Sequence, residues 1–340
     1  MAEPSAAIAA ALSFLGDRLE ADRPIGPLST YRVGGPARWF VEVVDEAELS
    51  RIAGAVAALA ARAAAVEPVP VPVLVVGKGS NLLVRDAGFD GLVLQLGEAF
   101  AGIEVQRDGA GGVGGHAGDS GRAGAGRAMV RAGGAASLPV VARRTVAEGL
   151  GGFEWAVGVP GSIGGAVRMN AGGHGSDMVA VLAGVRVVDL LTGETLDMAP
   201  ADLHLSYRSS SLAAHQVVTW ADLSLPPGDR ATGEAELAEI VRWRREHQPG
   251  GHNAGSVFTN PPGDSAGRLI EAAGGKGLRI GTAVVSPKHA NFIQADDGGS
   301  ADDVFALMVE VARRVRAHSG VELRPETRMV GFPAFSEACR

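Results

Sequence analysis

Three short segments carry side chains able to hold charge or move protons. Ser206-Tyr207-Arg208-Ser209-Ser210 concentrates a guanidinium and hydroxyls just before a strand. Gly255-Ser256-Val257-Phe258-Thr259-Asn260-Pro261 places Ser256 after a glycine and before an apolar pair. Pro325-Glu326-Thr327-Arg328 sets a carboxyl and a guanidinium two residues apart, on one side if the chain is extended. Each segment also has a plain structural reading. Tyr207-Arg208 fits a surface contact, Ser256 a turn cap, and Glu326 with Arg328 a salt bridge. Taken alone, each is better read in that way. Ser256 has no nucleophile elbow and no ordered Asp/His partner, so a hydrolase triad is unsupported.

Two glycine-rich stretches could cradle an anion. Gly77-Lys78-Gly79-Ser80-Asn81 follows the apolar run Val73–Val76. It is not a dinucleotide fingerprint, because Leu82 stands where the third glycine belongs, and no Gly-Lys-Ser/Thr makes it a P-loop. Clustered N–H groups there can still form an anion nest; alone, a tight strand-to-strand turn is the better reading. The second stretch, 158–175, holds seven glycines in 18 residues. Two consecutive glycine turns around a short apolar segment suit backbone packed on an extended ligand, and pyrophosphate is one candidate. A pure loop remains equally open. His247 and His252 do not have helical metal spacing, so no metal is expected.

Local patterns show what must position these segments. Residues 38–44 read as a strand leading into a helix with Leu49, Ile52, Val56 and Leu59 on one face. Residues 91–96 form another strand. The segments 102–105 and 128–132 read as a hairpin, and 107–127 between them as a disordered insertion. A helix is expected from Ser137, its candidate cap, to about Glu148. A hairpin is expected over 185–198 and a strand over 217–225. Helices follow over 234–247, 265–273 and after Ser300, with Ser300 and Asp303 as a capping box and Gly320 as the stop.

Composition narrows the classes. At 340 residues, two or three domains are expected. A net charge of −7 argues against nonspecific nucleic-acid binding. No stretch approaches 18 uncharged apolar residues, and the N-terminus has no basic signal region. The lone Cys339 permits no intrachain disulfide. A soluble cytoplasmic protein, monomeric and away from membranes, is expected.

Taken in order, the motifs resemble the UDP-N-acetylenolpyruvoylglucosamine reductase family. The matching pieces are Ser29 to Ala37, Gly77 to Val84, Pro160 to Gly165 with Asn170-Ala171-Gly172, and Tyr207 to Ser210. They continue with Asn253 to Phe258, Lys276 to Gly281, His289 to Ile293 and Pro325 to Arg328. They run from about residue 25 to 332, nearly the whole chain. The resemblance implies an α+β architecture: a two-part FAD-binding domain of the vanillyl-alcohol-oxidase type and a C-terminal α/β substrate-binding domain. Its parts would be 1–97, 98–229, 230–325 and a C-terminal segment, 326–340, that carries Glu326.

The resemblance also implies roles. Non-covalent FAD would be held by Gly77, Gly79, Ser80, Asn81, Leu82, Pro160, Gly161, Ser162, Gly164, Gly165, Asn170, Gly172 and Arg244. Tyr207, Asn260, Lys276 and His289 would line the sugar-nucleotide pocket. Arg208, Ser256 and Glu326 would be catalytic in the NADPH-dependent reduction of UDP-N-acetylglucosamine enolpyruvate. The short 260–269 segment resembles the type II form. Thr259 replaces the usual lysine, His174 an aromatic residue and Ser29 an asparagine. A flavin oxidase of the same superfamily is the alternative enzyme, and a binding regulator without turnover the alternative class. The Arg208, Ser256 and Glu326 set argues against both.

Overall fold

The computed structural model describes residues 4–66, 71–107 and 126–340. The expected insertion at 107–127 lies, apart from its ends, outside the described residues. The chain divides into two compact units, each assembled from three stretches. Met1–Leu19, Val41–Lys78 and Leu94–Trp243 make the first; Glu20–Phe40, Gly79–Val93 and Arg244–Arg340 make the second.

The first unit is built on a five-stranded antiparallel sheet. Its spatial order is Thr195–Met198, Leu182–Asp189, Gln216–Leu225, Ala128–Gly133 and Ile103–Gln106. Alternation decides its faces, because successive side chains on a strand point to opposite sides. Val130, Ala132, Val185, Val187, Ala221, Leu223 and Leu225 are buried in one core with Leu138, Val141 and Val146 of the helix Leu138–Ala147. On the other face Arg131 donates twice to Asp222 at 2.9 Å, and its guanidinium lies 3.8 Å from the Trp220 ring centre. Both hairpins expected from sequence are present. Ser137 does precede the helix, but its side chain makes no capping bond. Its backbone bridges Ser162 instead. The helix Glu46–Val66 buries Leu49, Ile52 and Val56 as its spacing requires, with Leu59 half-buried.

The second unit has its own core. The three-stranded sheet Arg279–Ile280, Ala283–Val285 and Ile293–Ala295 packs with the helices Ala266–Ala272 and Ala301–Ser319, and with Tyr31, Val33 and Leu83. The helix Ala301–Ser319 buries Val304, Leu307, Met308, Val311 and Val315, one stripe at helical spacing. Ser300 Oγ caps it by accepting the Asp303 N–H at 3.1 Å. The expected capping box is only half formed. The Asp303 carboxylate turns away to accept the Thr282 N–H at 2.8 Å and its hydroxyl at 2.7 Å. Gly320 ends the helix in the left-handed region, φ +73°. Strand Arg328–Val330 lies parallel to Leu82–Val84, with Arg328 opposite Leu82. Among the described residues no helix is long and apolar enough to cross a membrane.

Candidate functional site

A cavity of about 270 Å³ opens in the first unit. Gly77, Ser162, Gly164 and Gly165 line it, four of the residues expected to hold the cofactor. Local backbone packing explains most of this bareness. Gly164 N–H donates to the Gly134 carbonyl at 2.9 Å, and Ile163 N–H to Ala136 at 2.9 Å. The 161–164 segment is thereby stitched to 134–138. A Cβ on Gly77 would stand 2.4 Å from Ser162 Oγ, and one on Gly134 would stand 2.0 Å from the Val218 carbonyl oxygen. Gln95 Nε2 donates to the Gly77 carbonyl at 2.8 Å and fixes the end of the strand.

Gly165 is different. Among the described residues, and apart from its chain neighbours and the backbone of its own helix, a Cβ there would meet only Ser162 Oγ, at an ordinary 3.5 Å. Protein packing does not demand glycine at that point of the cavity wall, and its absent side chain leaves room for a group to lie against the backbone. Lys78 and Arg168 also line the cavity and supply cations for a phosphorylated ligand. These features fit a flavin dinucleotide. Gly134, Gln95, Arg168 and Gln216 were not expected from sequence; the Gly133-Gly134 pair ending a strand was the one available signal.

Two glycine substitutions separate fold from ligand. At Gly79, φ is +59° and a Cβ would meet the Leu28 carbonyl oxygen at 2.2 Å. Gly79→Ala should therefore cost about 3 kcal/mol or more, read as a lower melting temperature of the apoprotein. Gly165→Ala should leave apoprotein melting unchanged or slightly raised, because alanine favours the helix Ile163–Met169. It should weaken FAD binding, read by flavin fluorescence. Equal melting losses in both variants would show that Gly165 serves the fold.

Arg208 sits at the tip of a tight turn in the first unit. Ser206 and Ser209 exchange N–H···O bonds at 3.0 and 3.1 Å. Tyr207 is 60% exposed at the tip. Arg208 has φ +55°, an uncommon conformation for a side-chain-bearing residue. Its Nη2 donates to the Gly172 carbonyl at 2.8 Å. His174, in the same glycine segment, packs edge-on against Trp243 at 5.3 Å, so an aromatic contact is kept there.

In the second unit, the segments that carry Ser256 and Glu326 are joined by backbone pairing. Glu326 N–H donates to the Val257 carbonyl at 2.8 Å, and Phe258 bridges Pro325. Asn291 holds the opposite edge of this segment. Its carbonyl accepts the Val257 N–H at 2.9 Å, while its buried carboxamide accepts from Phe258 N–H at 3.0 Å and donates to the Phe258 carbonyl at 2.8 Å. Thr259, in place of the usual lysine, donates its N–H to Arg324 at 2.9 Å and its hydroxyl to the same carbonyl at 3.3 Å. Ser29, the other departure, gives its hydroxyl to the Gly26 carbonyl at 3.0 Å.

The glycine loop joins this pairing. Asn81 Nδ2 donates to the Glu326 carbonyl at 3.0 Å, and the Asn81 carbonyl accepts the Arg328 N–H at 3.0 Å. Ser80 precedes it, and Leu82 opens the strand that pairs with Arg328. Asn260 Oδ1 accepts the Ala266 N–H at 3.0 Å at the start of a helix. Lys276 is ion-paired with Glu271 at 2.8 Å. His289 Nδ1 accepts the Asn291 N–H at 3.2 Å, and burial lowers the pKa of the ring. Arg244 is half-buried near the end of the helix Arg230–His247, and burial lowers its pKa. Pro160 and Gly161 lead into the cavity segment, where the Gly161 carbonyl accepts the Leu138 N–H at 3.0 Å.

Two family models match the chain. "UDP-N-acetylenolpyruvoylglucosamine reductase, C-terminal domain" matches residues 247–330, and "FAD binding domain" matches residues 47–199. UDP-N-acetylenolpyruvoylglucosamine reductase 2 of Symbiobacterium thermophilum is 41% identical over 316 residues, 92% of each chain. The reductase of Acidiphilium cryptum is 40% identical over 325 residues, 95% of each chain. The crystal structure of the reductase of Thermus caldophilus is similar with a TM-score of 0.70 at 32% identity, covering 92% of this chain and 99% of the other.

Proposed function

The chain belongs to the UDP-N-acetylenolpyruvoylglucosamine reductase family, and from that premise we propose how its own residues divide the work. It is an FAD-dependent oxidoreductase that reduces UDP-N-acetylglucosamine enolpyruvate to UDP-N-acetylmuramate with NADPH, a step of peptidoglycan precursor synthesis. Gly77, Ser162, Gly164, Gly165 and Lys78 would hold FAD at the cavity of the first unit. FAD held there would supply the hydride chemistry that links NADPH oxidation to reduction of the enolpyruvyl double bond.

The chain's residues must then manage charge and protons. Hydride addition at C3 pushes negative charge onto the substrate carboxylate, and preorganised donors stabilise such charge. Arg208 offers two parallel N–H bonds to that carboxylate and keeps its proton. Glu326, as the protonated acid, donates a hydrogen bond to the developing charge, a device used elsewhere for enolate-like states. Ser256 delivers the proton to C2; the carbanion is basic enough for a hydroxyl to serve. Tyr207 of the first unit, and Asn260, Lys276 and His289 of the second, would each contact the sugar nucleotide. Arg244 meets a phosphate. Asn81, tied to the Glu326 carbonyl, carries the glycine loop to the acid. Residues 230–325 form the substrate-binding domain, and the enzyme acts as a cytoplasmic monomer. One observation carries this reading: Ser256 and Glu326, 70 residues apart, lie in one paired backbone segment, Glu326 N–H on the Val257 carbonyl at 2.8 Å.

Anaerobic spectroscopy tests it. Flavin bands at about 370 and 450 nm should bleach with NADPH and return when the enolpyruvyl sugar nucleotide is added. Recovery only with oxygen would replace this reading with a flavin oxidase. Protein that takes up no FAD would remove the enzyme altogether.

A further inference from the structure

The 206–213 loop, which carries Arg208, is strapped to the helix Ile163–Met169 and the turn after it. Ser210 Oγ donates to the Arg168 carbonyl at 2.7 Å. Arg168 Nη1 donates to the carbonyls of Leu212, at 3.0 Å, and Ala213. Arg208 donates to Gly172. Asn170 completes the set, and its side chain holds the backbone of the Arg208 turn. It is the left-handed cap of the helix, φ +39°, and is 3% exposed. Its Nδ2 donates to the Ser206 carbonyl at 3.0 Å and to Asp177 Oδ2 at 3.3 Å. Its Oδ1 accepts the Val179 N–H at 3.0 Å.

Both carboxamide hydrogens and the oxygen are thus spent inside the protein. The Ser206 carbonyl they hold lies two residues before Arg208, in the residue whose N–H and carbonyl close the turn on Ser209. That turn keeps Arg208 at φ +55°, a conformation an L-residue seldom holds unless its surroundings impose it. We propose that Asn170 is a positioning residue for Arg208: its carboxamide fixes the Ser206–Ser209 turn, and so the direction of the guanidinium, and its task is not contact with the cofactor. The inference rests on the catalytic reading of Arg208.

Asn170→Gly is the informative variant. Glycine holds the left-handed cap without strain, so only the carboxamide is lost. FAD content and the rate of flavin reduction by NADPH should stay within about twofold, while reduction of the enolpyruvyl sugar falls by about 10- to 100-fold, as for a lost buried hydrogen bond. Trypsin should cut after Arg208 at least about tenfold faster, because a released turn opens to protease. In an Arg208→Lys background, Asn170→Gly should remove less than about threefold more activity, because groups acting through one another are not additive. Asn170→Asp, which keeps the acceptor but sets a second carboxylate beside Asp177, should not rescue.

Loss of FAD, or equal loss of both half-reactions, would overturn the proposal in favour of a cofactor contact. Multiplying losses in the double variant, or unchanged trypsin cleavage, would overturn it as well. If Arg208→Lys alone turned over normally while Asn170→Gly still exposed the Arg208 bond, the catalytic reading of Arg208 would fall and the tether would stand.

Discussion

Ser256→Ala is expected to leave flavin reduction by NADPH at its normal rate and to slow reduction of the enolpyruvyl sugar by about 10²–10⁴-fold, the range of a lost general acid. The two half-reactions part because only the second needs a proton at C2. The fold should survive. Ser256 is half-buried, and its segment is held by backbone bonds and by Asn291, none of which uses the serine hydroxyl. Stopped-flow flavin absorbance under nitrogen reads both steps separately. Equal slowing of the two would show damage to the flavin site, and normal turnover would remove Ser256 from proton delivery.

Arg208→Lys should cost about 10²–10³-fold in kcat, as for a removed charge-stabilising donor, and should raise KM for the sugar nucleotide as well. The substitution keeps the charge and the same backbone demand at φ +55°. What it loses is the planar fork. An ammonium cannot make two parallel bonds to a carboxylate, nor reach it while also bonding the Gly172 carbonyl as Nη2 does at 2.8 Å. Turnover near normal would show that charge alone suffices and that the guanidinium geometry plays no part.

Much of the frame was legible in residue patterns. The stripe Val304, Leu307, Met308, Val311 and Val315 predicted a buried helix face, and Gly320 its end. The segments 128–132 and 217–225 read as strands, and the structure pairs them as antiparallel neighbours in one sheet. Capping was read less well. Ser137 and Asp303 have the right residue types at the right spacing, yet Ser137 leaves its helix uncapped and Asp303 bonds Thr282, 21 residues back. Local spacing says what a side chain can reach within its own turn; it is silent on a better partner delivered by another strand.

By itself, the sequence determined which chemistry is available: an arginine fork, a hydroxyl and a carboxyl in three separated motifs, with glycine-rich backbone for an anionic cofactor. It also determined most helices and strands, because their hydrophobic periods are local. Only the tertiary structure decided how these pieces work as sites. It paired the Ser256 segment with Glu326 and tied Asn81 to the same residue across 245 positions. It brought Gly134, Gln95 and Arg168 into the wall of the cavity that Gly77 and Ser162 share, and it turned Asn170 toward Ser206. Each of these is a backbone or carboxamide hydrogen bond, or a close backbone approach, between distant stretches. Such contacts are made by groups nearly every residue possesses, so no pattern of residue types announces them.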